Sequence, residues 1–222
     1  MKLLVTRPEP GASATAAKLT GLGHEAVLLP CLTITPVTTH LPANPAALII
    51  TSGQAIPALP AHYQQIPTFC VGDATAAKLR MVGFNRVESA SGDAQALSRL
   101  VVTRNIPGLH VLATGERLGL ALAASLRLAG ITVLRRKVYK VSKLARLPET
   151  IRAALASGYF EGVLFYSTET ARAFAELNPP GTRVLQAYAL SQNIEKRLQE
   201  LPWDTIHIAS APTEADLMAL LA

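Results

Sequence analysis

Short apolar runs alternate with segments of helical periodicity along the whole chain, and this alternation narrows the fold more than any other feature. Residues 2–6 read as a strand, 12–22 as a helix that stops at Gly21-Leu22-Gly23, and 26–30 as a second strand. Further strands are expected near 47–51, 67–71, 85–88, 109–113, 131–136, 161–166, 183–187 and 205–208, with helices between them. Strand–helix–strand at this spacing demands parallel βαβ units and an α/β fold. Strands of such sheets are covered on both faces. That accounts for a chain that is 50% hydrophobic and 16% charged.

The chain also repeats itself. Leu3-Leu4-Val5-Thr6, a helix and Gly23 are matched by Val111-Leu112-Ala113-Thr114, a helix and Gly130, offset by 107 or 108 residues. Leu48-Ile49-Ile50-Thr51-Ser52 is matched by Val163-Leu164-Phe165-Tyr166-Ser167, offset by 115. The strand and helix that begin at Phe69 have their counterpart after Val184. Three blocks followed by the same three blocks mean two similar α/β domains, with a period too long for a solenoid. Two divisions fit. One is a plain split near residue 108. The other uses the extended segments 31–37 and 137–143 as a two-stranded connector, so that the first block joins the last two.

Composition excludes several classes. Lys+Arg 21 against Asp+Glu 15 leaves a net charge of +6, which points to an anionic partner. Aromatic residues are 5% of the chain and no Lys/Arg run exceeds Arg135-Arg136-Lys137, which argues against a platform for stacking nucleic-acid bases. Cys31 and Cys70 lack C-x-x-C spacing and read as buried, reduced thiols. The apolar run before Arg7-Pro8 is too short for a secretory signal, and no run reaches the length of a membrane span. A cytoplasmic, monomeric protein with no membrane or nucleic-acid partner is expected. His24, His40, His62, His110 and His207 lack ligand spacing and read as surface or loop histidines, so no metal is expected. Gly21 to Ala26 matches G-x-G-x-x-A, but it follows a helix and precedes a strand. That is the reverse of a dinucleotide site, and it reads as a helix C-cap.

What remains is a set of small polar residues where strands hand over to helices. They are Thr6-Arg7-Pro8, Thr51-Ser52-Gly53, Gly72-Asp73-Ala74-Thr75, Thr114-Gly115-Glu116, Ser167-Thr168 and Ser191-Gln192-Asn193. In open parallel sheets these carboxyl ends form the ligand crevice, and helix N-termini there favour carboxylates and phosphates. Each residue alone also reads as an ordinary N-cap. Thr213-Glu214-Ala215-Asp216 reads as capping of the last helix, matched by Ser91-Gly92-Asp93, and Trp203 reads as packing. Tyr139 lies in an extended segment whose residues alternate as exposed strands do. Its phenol, with an ordinary pKa of about 10, is a proton or hydrogen-bond donor at neutral pH.

In order and spacing, these residues resemble uroporphyrinogen-III synthase. The resemblance runs from Leu4-Val5-Thr6-Arg7-Pro8 through Ile49-Ile50-Thr51-Ser52, Val71-Gly72-Asp73-Ala74-Thr75-Ala76 and Gly83-Phe84. It continues through Val138-Tyr139 and Phe165-Tyr166-Ser167 to the tail from Thr205 to Leu221. It implies two flavodoxin-like parallel-sheet domains, 1–36 with 143–222 and 37–142, joined by the two-stranded connector. It implies a cofactor-free enzyme that dehydrates and cyclises hydroxymethylbilane, a linear polycarboxylate tetrapyrrole, with inversion of the last pyrrole ring. The substrate is expected between the domains. The family's tyrosine falls on Tyr139, its Gly-x-Ala-Thr turn on Gly72 to Thr75, and its Thr-Ser turn on Thr51-Ser52. Where many members carry a second Gly-Pro-Thr-Thr turn, this chain has Ser191-Gln192-Asn193-Ile194, which leaves backbone N–H groups to do the binding there.

On that basis Tyr139 and Thr75 are the candidate catalytic groups. Arg7, Thr51, Ser52, Gly53, Gly72, Asp73, Gly115, Ser167, Thr168, Gln192 and Asn193 are the candidate substrate contacts. A non-catalytic two-domain anion sensor is the rival reading, since two similar lobes around a cleft serve it equally well.

Overall fold

The computed structural model describes residues 1–221. In chain order the elements begin with β1 (Lys2–Val5), α1 (Gly11–Gly21), β2 (Glu25–Leu28), β3 (Leu32–Pro36), β4 (Ala47–Ile50) and β5 (Thr68–Cys70). Next come α2 (Asp73–Met81), β6 (Val87–Ser89), α3 (Ala94–Arg104), β7 (His110–Gly115), α4 (Leu120–Leu128) and β8 (Val133–Lys143). The chain continues with α5 (Glu149–Ala156), β9 (Gly162–Phe165), α6 (Thr168–Glu176), β10 (Gln186–Ala189), α7 (Gln192–Leu198), β11 (Thr205–Ile208) and α8 (Glu214–Ala219).

Two compact units result. Unit 1 holds Met1–Thr33 and the chain from Ser142 onward; unit 2 is Ile34–Val141. The unit 1 sheet has the order β11-β10-β9-β1-β2, parallel throughout. Numbered within the unit this is 2-1-3-4-5, the flavodoxin order. The unit 2 sheet has the order β3-β8-β7-β4-β5-β6. From β8 to β6 it has the same layout in space, but the chain enters at β4 instead of β7. β3 lies against β8 as an edge strand; Val37 N–H donates to Val138 and Leu144 N–H to Cys31 (both 2.9 Å), so each pair of residue numbers sums to 175 and the strands run antiparallel.

Both sheets are buried on two faces, as period-2 strands between helix layers require. In β4, Ala47 and Ile49 join one apolar cluster while Leu48 and Ile50 join another. In unit 1, Leu4, Val163 and Phe165 pack on one face and Leu3, Val5 and Leu164 on the other. Trp203 packs among Phe165 and Phe174 and donates its indole N–H to the Leu198 carbonyl at 2.9 Å.

The structure corrects the sequence reading in several places. The expected strands 131–136 and 137–143 are one strand, β8. The strand expected at 183–187 starts later, because Thr182–Val184 forms a 3-10 turn after Pro179-Pro180-Gly181. No α-helix follows Thr51-Ser52-Gly53. Two 3-10 turns, Gly53–Ala58 and Ala61–Gln65, stand there instead, with Pro57 inside the first and Pro60 before the second. His110 is 0% exposed, because it begins the central strand β7 and pairs with Ala47 and Val133 on either side. Its Nδ1 lies 3.2 Å from the Gly108 carbonyl oxygen and its Nε2 has no partner, so burial holds its pKa below the ordinary value. Cys31 and Cys70 are buried and unpaired, and burial pushes the Cys31 thiol up to about 12.

Candidate active site

Each sheet has a point where the strand order reverses, and ligands of open α/β sheets bind beyond the strand ends there. In unit 2 that point lies between β4 and β7. Thr51-Ser52 leaves β4 and Thr114-Gly115 ends β7, and the Thr51 and Thr114 hydroxyls are 3.4 Å apart. Ser52 caps the 3-10 turn by accepting from the Gln54 N–H at 3.3 Å. The Lys78 side chain, from α2, lies across Gly53; a Cβ added at Gly53 would come 3.0 Å from Lys78 Cδ. A hollow of about 290 Å³ opens here, lined by Thr51, Ser52, Ala94, Leu118, Gly119, Ala121 and Leu122. Its wall is mostly apolar with a hydroxyl-bearing end. Arg135 holds the rim, donating to the carbonyls of Gly115 (3.2 Å), Glu116 (2.6 Å) and Leu118 (2.7 Å).

Tyr139 is set by a bulge. Thr114 pairs with Lys137 but Gly115 pairs with Tyr139, so β8 carries one extra residue at this point. Val138 and Tyr139 are therefore consecutive yet both packed in one cluster, where simple alternation had been expected. Tyr139 is 3% exposed, whereas its segment reads in sequence as an exposed strand. It lies over Gly115, where an added Cβ would come within 2.8 Å of Cε2 and 2.9 Å of Cζ. Only a glycine lets the ring sit there. Burial raises the phenol pKa, and contact with the Ser52 side chain and the Gly115 backbone offsets part of the rise. The group stays protonated at neutral pH.

Gly72, Asp73 and Thr75 lie at the end of the adjacent strand β5. Gly72 caps α2 without a side chain, and its carbonyl accepts from the Thr75 N–H at 3.1 Å. Thr75 is buried and its hydroxyl bonds to no described residue. The Asp73 carboxylate accepts from Ser91 Oγ at 2.9 Å; hydrogen bonds from Ser89 and Ser91 hold its pKa below the usual range. Gly115 is the last residue of a strand, and α4 begins five residues later, so the expected helix N-terminus is not at Gly115 itself.

In unit 1 the reversal lies between β1 and β9, whose ends carry Thr6-Arg7 and Tyr166-Ser167. Arg7 Cζ stands 4.0 Å from the Tyr166 ring centroid. Arg7 Nη1 donates to Glu214 Oε1 at 3.0 Å and to Thr15 Oγ1 at 3.2 Å. Thr15 Oγ1 donates to the same carboxylate oxygen at 3.1 Å, Tyr166 reaches it at 3.4 Å, and Lys18 pairs with the other oxygen. Burial works to raise the Glu214 pKa, but Lys18, Thr15 and Arg7 outweigh it and hold it below the ordinary carboxylate value. Burial raises the Tyr166 pKa. Ser167 caps α6 through the Thr170 N–H at 3.1 Å and shares a hydroxyl contact with Thr170 at 2.8 Å. Thr168 opens that helix. Gln192 and Asn193 are exposed at the start of α7, which has no side-chain cap.

Sequence reasoning missed Thr15, Lys18, Tyr166 and Glu214 as one cluster, and also Lys78 and Arg135; Thr114 was among the strand-end residues, but its pairing with Thr51 was not foreseen. Helical spacing puts Thr15 and Lys18 on neighbouring turns of one face, which is a local signal. Nothing local ties them to Glu214, which reads as a capping residue. Among the described residues, no group of three His, Cys, Asp or Glu side chains is placed to hold a metal ion. Nor is any helix there long and apolar enough to cross a membrane.

No curated protein sequence matches the chain. Among solved structures, uroporphyrinogen-III synthetase from Helicobacter pylori is similar, with a TM-score of 0.66 and 18% identity, over 100% of this chain and 98% of that one. A mutant uroporphyrinogen III synthase from the extremely thermophilic bacterium Thermus thermophilus gives a TM-score of 0.59 and 17% identity, over 100% of this chain and 97% of that one. At such identities the likeness speaks for the fold. The family model described as uroporphyrinogen-III synthase HemD matches residues 13–219. A match over that span shows that this chain belongs to the uroporphyrinogen-III synthase family.

Proposed function

We propose that Tyr139 is the proton donor of the synthase reaction and that the strand-end turns hold the carboxylates of its substrate. The reaction is the cyclising dehydration of hydroxymethylbilane to uroporphyrinogen III, with inversion of the last pyrrole ring, in tetrapyrrole biosynthesis. The match to the synthase family over residues 13–219 carries the functional reading. An electron-rich pyrrole expels its hydroxymethyl oxygen as water when a proton is supplied, leaving a cationic azafulvene. The substituted carbon of the last ring attacks it to give a spiro intermediate, which fragments and recloses with that ring reversed. Such chemistry asks little of strong acids or bases. It asks much of orientation, which contributes about 7–11 kcal/mol in favourable cases.

A protonated, buried phenol beside Ser52 suits the proton transfer. Ser52, Thr51 and Thr75 orient a carboxylate or the leaving hydroxyl. Arg7 and the N–H groups near Gly53, Gly72, Gly115, Thr168 and Asn193 hold carboxylates, with Asp73, Ser167 and Gln192 shaping the same turns. The net charge of +6 draws in a polyanionic small molecule and is not needed for nucleic acid. On this reading the protein acts as a cytoplasmic monomer, and the unpaired thiols of Cys31 and Cys70 suit a reducing compartment.

The test is incubation with freshly generated hydroxymethylbilane, followed by oxidation and separation of the isomers. Isomer III is the expected product. Isomer I alone, the outcome of unassisted closure, would overturn the reading.

A further inference from the structure

The Arg7 guanidinium is held with unusual completeness for a surface-reaching side chain. Its Cζ stands 4.0 Å from the centroid of the Tyr166 ring. Gly11 lies against it too, where an added Cβ would stand 2.5 Å from Nε, 2.8 Å from Cζ and 2.9 Å from Nη2. Nη1 is committed to Glu214 and Thr15. Nε and Nη2 donate to no atom of the described residues, and neither is an enclosed, unpartnered group. The Nε–Nη2 edge is the fork with which arginine takes a carboxylate through two parallel bonds. The cluster carries two cations, Arg7 and Lys18, against the single carboxylate of Glu214, so the pairing leaves one positive charge over.

Glu214 is what ties this arrangement to the far end of the chain, 207 residues from Arg7. Four groups, Arg7 and Tyr166 from the turns after β1 and β9 and Thr15 and Lys18 from α1, meet on its carboxylate. We propose that Glu214 is a positioning residue for Arg7: it fixes the guanidinium so that the open Nε–Nη2 edge meets a carboxylate of the substrate. This rests on the reading of Arg7 as a carboxylate clamp. A long side chain ordered in advance spares the complex the entropy of ordering it on binding. The effect therefore falls on substrate binding and not on the chemical step. Gly11 serves the same end by leaving room for the group.

The test measures kcat and KM for isomer III formation from hydroxymethylbilane in five proteins: the parent, Arg7→Gln, Glu214→Ala, Gly11→Ala and the double variant Arg7→Gln/Glu214→Ala. Glu214→Ala is expected to raise KM about tenfold, the effect of losing one charged hydrogen bond, with kcat within about twofold. In the Arg7→Gln background the same change is expected to do nothing further. Gly11→Ala displaces the guanidinium without altering charge. It is expected to raise KM about as much while leaving the thermal midpoint level or higher, since alanine favours a helix. A merely structural role for the cluster would lower the midpoint instead.

An unchanged KM in both Glu214→Ala and Gly11→Ala overturns the proposal. So does a Glu214→Ala effect that persists in full without Arg7, or a fall in KM, which would make Glu214 a competitor of the substrate. If Arg7→Gln itself leaves KM unchanged, the clamp reading fails at its source. If Glu214→Ala does not fold, Gly11→Ala decides the matter alone.

Discussion

Unit 1 and unit 2 set their parallel strands in the same spatial order, yet their reversal points present different chemistry. In unit 1 the turn is ionic: Arg7, Lys18 and Glu214 with two hydroxyls. In unit 2 the corresponding turn carries paired threonines, a serine cap, an apolar hollow and a buried phenol against a glycine. The comparison shows one strand order carrying different residue chemistry at equivalent strand ends, so the fold alone does not decide what those ends do. In the proposed division of work, charge in one unit is for grip, and a neutral proton donor in the other is for chemistry.

The sharpest way to break this contrast is Tyr139→Phe. The kcat for isomer III is expected to fall on the order of a hundredfold, the low end for a lost general acid. KM should stay within about threefold, since one neutral hydrogen bond is at stake. Product analysis by isomer, with substrate held limiting and then saturating, reads both quantities, and full turnover would remove Tyr139 from the mechanism. Gly115→Ala probes the same ring indirectly. The new methyl would lie 2.8 Å from Tyr139 Cε2, so a loss of about 1–3 kcal/mol in denaturant-melt stability is expected, together with slower turnover. Unaltered stability and turnover together would mean that this packing does not hold the phenol.

Acid should separate the two units. His110, in unit 2, has a native pKa below the ordinary imidazole value of 6.5. The unfolded chain therefore takes up a proton near pH 6.5 while the native one does not. Stability is full above that point and falls as pH drops toward the depressed native value. Glu214, in unit 1, is also depressed, but from 4.5, so its contribution is lost only at lower pH. Hydrogen exchange between pH 6.5 and 5 should show protection falling in residues 34–141, while the fluorescence of Trp203, which lies in unit 1, holds steady. His110→Leu should flatten that response; equal acid sensitivity with and without the histidine would refute the assignment. The smallest effect is expected from Thr75→Ala. If backbone N–H groups supply most of the hold at that turn, KM should move less than about threefold, and a tenfold rise in a substrate titration would give the hydroxyl a larger share.

Much of the architecture was legible from neighbouring residues. Leu48-Ile49-Ile50, a short, largely β-branched run bounded by turn residues, reads as a strand buried on both sides, and Asp93 and Thr213 were readable as caps. Asp93 accepts from Gln95 and Ala96 N–H at 2.9 Å, and Thr213 from Asp216 N–H at 3.2 Å. The strand-end turns were legible for the same reason, since a polar residue after an apolar run is a local pattern. His110 was misread because a histidine carries no local sign of burial; β7 buries it by sitting at the centre of a sheet. Tyr139 was misread because a bulge depends on the register of two strands, and one strand's sequence does not contain it.

The sequence by itself therefore determined most of the strands and helices, the doubling of the pattern and the places where polar residues end strands, because each depends on residues close along the chain. Residue patterns left open which blocks share a sheet; the resemblance implied a division, and the tertiary structure forms the two sheets. Every parallel strand offers equivalent edges, and β3 and β8, each running across the boundary between the units, carry the chain out of one and back into the other. It also decided that the Tyr139 phenol is buried over Gly115, and that Arg7 finds its carboxylate 207 residues away. Contacts of that range exist only once packing has brought distant elements together.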